Sequence, residues 1–143
     1  MTRITKPKKK KYPKVESLYP LLSKAVMLRD GYRCRICGGI GTEAAHIFSK
    51  GARKDLALYM PNVLWACHGC HMTNKHNMHN DRDWFMAWWK KNMGGEEFYY
   101  ELKHSEPPYK NTLEAKQYLI EAIERYAREN EKKNIPSYLI RHR

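Results

Sequence analysis

Long apolar runs are missing from this sequence. No window of its 143 residues approaches the roughly 20 apolar residues that a membrane-spanning helix needs. The segment TRITKPKKKKYPK behind Met1 contains no apolar run of the secretory-signal type. A cytoplasmic, reducing setting is therefore expected. Acids are also scarce: 15 Asp and Glu stand against 27 Lys and Arg, a formal net charge of +12. That shortage turns expectation toward a polyanionic partner, nucleic acid first and an anionic membrane surface second. Internal repeats are absent. Cysteine is limited to four residues, and in a reducing compartment such residues read as metal ligands before disulfides.

What is present suits one small domain. The apolar share of 42% is enough for a folded core, though a small one that a structural metal would help. Residues 1–14 read as a basic flexible tail, 15–133 as the domain and 134–143 as a second tail. Apolar spacing predicts a helix over Val15–Arg29, ended by Asp30-Gly31. Thr42–Phe48 and Asn62–Ala66 read as short strands, and HMTNKHNMHN as the start of a helix. Asp81–Met93 is predicted helical, capped by Asp81 and stopped by Gly94-Gly95. A final helix is expected over Asn111–Lys133, ended by Asn134 and Pro136, with Leu113, Ile120, Ile123 and Ala127 as its apolar stripe, supported by Leu119 and Tyr126.

The chemistry concentrates between residues 34 and 71. Cys34-x-x-Cys37 and Cys67-x-x-Cys70 are separated by an insert that carries His46 and Asn62, and His71 follows the last cysteine directly. Two such pairs supply four thiolates from two tight turns, the donor set of a structural Zn²⁺ site. A four-thiolate site has no open position for water, so the reactive chemistry is expected outside it. His46, Asn62 and His71 give the order His, Asn, His.

The segments EAAHI and PNVLWACHGCH resemble the signature of the HNH endonucleases, in the variant whose ββα-metal core is braced by a four-cysteine zinc. The order of elements from about Val15 to Asn130 is further similar to the phage NinG/Rap recombination-endonuclease group: a helix before the first cysteine pair, five steps from Asn62 to Cys67, an aromatic helix, a Gly-Gly break and a Thr-started final helix. The resemblance implies an α+β fold, a ββα-metal (His-Me finger) core with flanking helices. It also implies a metal-dependent DNA endonuclease that acts in a bacterial or phage-infected cytoplasm on branched recombination intermediates. By the same resemblance His46 is the general base, Asn62 holds the loop and the base's backbone, and His71 ligates a catalytic Mg²⁺ or Mn²⁺.

Related motifs carry an Asp directly before the base, where this chain has Ala45. Alternation along a strand places Glu43 on the side of Ala45, which makes Glu43 the expected substitute ligand. His76 and His79 rank lower, because neither has the i+4 spacing from His71 that a helix would require. Lys75, one helical turn beyond His71, and Arg53 and Lys54 in the inter-strand loop are the expected phosphate contacts. His68 is assigned no role. Two other readings stand beside the nuclease: a zinc-stabilised nucleic-acid-binding protein without catalysis, favoured by Ala45, and a redox protein using its cysteine pairs.

Overall fold

A computed structural model describes residues 11–133 and 137–139. Most of the expected basic tail, residues 1–10, lies outside them, as do Asn134 and Pro136. A turn of 3-10 helix, Val15–Leu18, leads into α1, Tyr19–Arg29, with Pro20 in the first turn where its missing N–H costs nothing. Strands β1, Glu43–His46, and β2, Val63–Ala66, form an antiparallel pair in which Glu43 faces Ala66 and His46 faces Val63. Helices α2, Arg82–Asn92, α3, Gly95–Lys103, and α4, Thr112–Glu131, follow. Among the described residues no helix is long and apolar enough to cross a membrane.

Strand alternation divides the interior. Ala44, Val63 and Trp65 face one cluster with Leu22, Ala25 and Val26 of α1 and Ala115 and Leu119 of α4. Ala45, Leu64 and Ala66 face the other, with Cys34, Cys70, and Phe85 and Trp89 of α2. The two-stranded sheet is thus covered on both faces, which a ribbon this short needs in order to persist. Gly41 is required beside it: a Cβ there would lie 2.2 Å from Cδ1 of the buried Trp65.

Helix caps agree with the sequence. Asp81 Oδ1 accepts from the Trp84 amide at 3.1 Å. Asn111 Oδ1 accepts from the Glu114 backbone amide at 3.0 Å while its side-chain Nδ2 donates to the Glu114 carboxylate at 2.8 Å, a reciprocal pair closed through side chains rather than the backbone box the sequence suggests. Three expectations change. The segment after Cys70 does not begin a long helix; it makes one π-helical turn, Gly69–Thr73, and then a loop as far as Asp81. Helix α3 was not predicted. Helix α4 keeps Leu119, Ile123 and Tyr126 of its expected stripe against the core but adds buried Ala115 and Ala122, while Leu113 is 41% exposed.

One buried ionic group ties α1 to β2. The Asp30 side chain is fully buried and accepts from Arg29 Nε at 2.9 Å, from Arg35 Nη1 at 2.9 Å and from the Trp65 amide at 2.9 Å. Arg29 in turn donates to the carbonyls of Met60, at 2.7 Å, and Val63. Removing Asp30, the fully buried member, leaves the Arg29 guanidinium, largely buried, without its carboxylate, while Arg35 can still turn to solvent. Asp30→Ala is therefore expected to cost about 3–5 kcal/mol of stability, read as a lowered guanidinium midpoint at saturating zinc. Asp30→Asn, which keeps an acceptor, should cost less.

Candidate active site

The cysteines converge. The Sγ atoms of Cys34, Cys37, Cys67 and Cys70 all lie within 4.8 Å of one another, and Cys37 and Cys67 are 3.8 Å apart. A tetrahedron of sulfurs at the usual Zn–S length of about 2.3 Å has edges of about 3.8 Å, so the donor set fits a zinc-type ion. Among the described residues no other group of three or more Cys, His, Asp or Glu comes together in this way. The four are free thiols rather than disulfides. Local structure explains the convergence. Gly38, at φ +76, turns the first pair so that its amide reaches the Cys34 carbonyl at 2.9 Å. In the second pair the Cys70 amide points to Cys67 Sγ at 3.4 Å. Burial and the neighbouring sulfurs push the Cys70 thiol far above its usual range. Four crowded thiols resist joint ionisation, and a dication relieves that resistance.

Beside this clamp, His46 and His71 line a single cleft of about 350 Å³ together with Ser49, His79 and Arg82. His46 ends β1. Its Nε2 donates to the Ala57 carbonyl at 2.8 Å, which fixes the tautomer and leaves Nδ1 as the proton-accepting atom. Burial lowers the His46 pKa below the ordinary histidine value, and the charges of Lys50 and His71 lower it further, against the opposing pull of the Ala57 carbonyl. Asn62 is fully buried. Its Oδ1 accepts from the Phe48 amide at 2.8 Å, and its Nδ2 donates to the carbonyls of Phe48 and Leu56, each at 3.1 Å. It therefore staples both ends of the loop that leaves His46.

His71 sits within the π-turn, half-buried, and donates from Nδ1 to Glu43 Oε1 at 2.7 Å, leaving Nε2 with the free lone pair. The same carboxylate oxygen accepts from His68 Nδ1 at 2.9 Å. Burial would raise the Glu43 pKa, but the hydrogen bonds from His71 and His68 outweigh it and hold the carboxyl below its usual range. Glu43 does not line the cleft. The expected substitute ligand stands instead behind His71 as an orienting carboxylate, and His68 has a partner that the sequence did not reveal. Ala45 is fully buried and contributes only a methyl group.

The expected phosphate contacts fare unevenly. Arg53 makes a double contact to Asp55, both at 2.9 Å, and also donates to the carbonyls of Lys103 and Ser105 at the end of α3. Its guanidinium is committed to holding the loop. Lys54 is exposed on a separate depression with Val15 and Tyr109. Lys75 is exposed in a bend beyond the π-turn, so the shared helical face expected with His71 does not exist. His76 pairs with Asp81 at 2.7 Å and stacks on Trp84. The cation that does line the cleft is Arg82, held by the Ile47 carbonyl at 3.0 Å; Lys50, packed 4.0 Å over the Tyr19 ring, lies close enough to His46 to act on its charge. Sequence reasoning missed both. A larger cavity of about 690 Å³ lies elsewhere, between Arg29, Tyr59 and α4, and contains no histidine; Asp30 occupies its Arg29 and Arg35.

No protein-family profile, no curated protein and no solved structure matches this chain.

Proposed function

We propose that the protein is a divalent-metal-dependent DNA endonuclease with an HNH-type core, in which a Cys34–Cys37–Cys67–Cys70 zinc site is structural. The observation that carries this reading is the shared cleft: a proton-accepting imidazole whose tautomer is fixed and a second imidazole backed by a carboxylate open on the same space. His46 Nδ1 takes a proton from the attacking water, a task that requires a base neutral near pH 7. His71 Nε2 is positioned to hold a divalent cation, Mg²⁺ or Mn²⁺, with Glu43 fixing the ring as an outer carboxylate does for metal-bound histidines. When bound, such a cation neutralises charge building on the phosphate and its leaving oxygen. Arg82 adds fixed positive charge at the cleft and Lys50 adds it near His46, and the net charge of +12 supports DNA as the polyanion. The NinG-like order of elements adds branched recombination intermediates as the substrate to try first.

Supercoiled plasmid incubated with Mg²⁺ or Mn²⁺ tests the reading. Wild type should nick it and His46→Ala should not, and a branched duplex should be cut faster than a linear one. The buried methyl of Ala45 favours the second reading, a zinc-stabilised nucleic-acid binder; plasmid binding without cleavage in either metal would establish that one. The pH profile makes a separate check. The base must be unprotonated, and burial lowers its pKa, so activity should survive acidification past the ordinary histidine value. The acid limb of kcat/KM should fall below pH ~6.5.

A further inference from the structure

Ala45 and Glu43 leave the cation site short of a ligand. Ala45 has no donor atom, and the Glu43 carboxylate is engaged by His68 and His71 outside the cleft. One imidazole alone holds a divalent ion weakly, so a second donor has to come from a residue that reaches the same space.

We propose that His79 is that donor, so that the catalytic cation is held by a pair of imidazoles, His71 and His79, with no protein carboxylate in its inner sphere. This rests on the endonuclease reading and deepens it. His79 lines the cleft with His71 and His46. Its backbone is fixed there. The π-turn closes with the Asn74 amide on the Gly69 carbonyl at 2.9 Å, and the chain then folds back. The Met78 amide reaches the Cys70 carbonyl at 2.9 Å and the His79 amide reaches the His71 carbonyl at 3.2 Å. Buried Met78 and Asn77 anchor the return, the latter donating to the Asn74 carbonyl at 2.7 Å and accepting from the Asn80 amide at 2.8 Å. Such π-helical insertions recur at functional sites because they redirect side chains that a regular helix would carry away.

Of the three histidines that line the cleft, His79 is the one whose ring is left over. His46 and His71 each bond an oxygen of the protein, whereas among the described residues the His79 side chain has no hydrogen-bond or ion-pair partner. An exposed imidazole without a partner, aligned by its backbone beside a second imidazole whose Nε2 is unspent, has the chemistry of a ligand. The donor set then selects the ion. Imidazole nitrogens suit borderline transition ions, whereas Mg²⁺ takes oxygen donors. Mn²⁺ should therefore bind this cleft well ahead of Mg²⁺.

The test is Mn²⁺ titration of the full chain, zinc-loaded beforehand, followed by loss of the free-ion electron paramagnetic resonance signal. His79→Ala and the size-conserving His79→Gln should each weaken Mn²⁺ binding by about tenfold or more, with zinc content and circular dichroism unchanged. Excess Mg²⁺ should displace Mn²⁺ poorly. If both His79 variants titrate like wild type while His71→Ala loses the ion, the His79 assignment is overturned and the endonuclease reading stands. Efficient displacement by Mg²⁺ would overturn the all-imidazole inner sphere. If wild type binds no Mn²⁺, or His71→Ala binds it unchanged, the cation site itself and the hydrolytic reading fall together.

Discussion

Removing the metal from the four cysteines is expected to unfold the domain rather than merely loosen it. Zinc binding to thiolate sites contributes about 10–16 kcal/mol of apparent free energy, as large as the whole stability of a typical domain, about 5–15 kcal/mol. Little else could take its place. The sheet has two strands of four residues. Cys34 and Cys70 are themselves members of the second apolar cluster, packed with Leu64, Phe85 and Trp89. Without a dication the crowded sulfurs cannot all ionise, and the buried Cys70 thiol resists most. Cys70→Ser or a strong chelator should therefore abolish the cooperative thermal transition seen by circular dichroism, with one zinc per chain released to a colorimetric indicator. Cys37→Ser, at the exposed corner, should be milder because three thiolates and a water can still close the site. A chain stripped of metal that keeps its melting temperature would remove the clamp from the account of the fold.

The cysteine spacing could be read early because each pair needs only one tight turn, a local constraint that Gly38 signals directly. The strands and the caps at Asp81 and Asn111 are local in the same sense, set by alternation and by side chains reaching amides three residues on. Residues 69–81 could not be read that way. Their amides are satisfied by a π-turn and by a return onto Cys70 and His71, a pairing that no periodicity announces. Ranking His79 by helical spacing therefore measured it against a helix that does not form. Arg53 was legible as a cation but not as a tied one, because Lys103 and Ser105, which hold it, lie far along the chain at and just past the end of an unforeseen helix. The displacement of Leu113 from the packed face of α4 has a similar origin. The helix's inward face carries Ala115 and Ala122, opposite Ala25 of α1, so small residues at the contact outranked the larger Leu113 and Ile120.

Replacing His46 by alanine is expected to lower the cleavage rate by about 100- to 10,000-fold, the usual contribution of a positioned general base, while plasmid binding at low salt stays near wild type. On the endonuclease reading the two effects separate, because affinity would come from lysine and arginine charge spread over the surface, none of which the substitution touches. Truncation also leaves the Ala57 carbonyl without its donor, a cost of about 1–3 kcal/mol for a buried acceptor, so lost rate alone would not distinguish a missing base from a sagging loop. Asn62 limits that ambiguity: its bonds to Phe48 and Leu56 hold the loop independently of His46. Added imidazole resolves what remains. A small base entering the vacated cleft should restore part of the rate in His46→Ala, with an acid limb that follows the pKa of free imidazole rather than the lowered value of the buried ring. A variant that cleaves at the wild-type rate, or one whose circular dichroism is native and which imidazole fails to rescue at any pH, would mean that His46 shapes the loop and another group takes the proton.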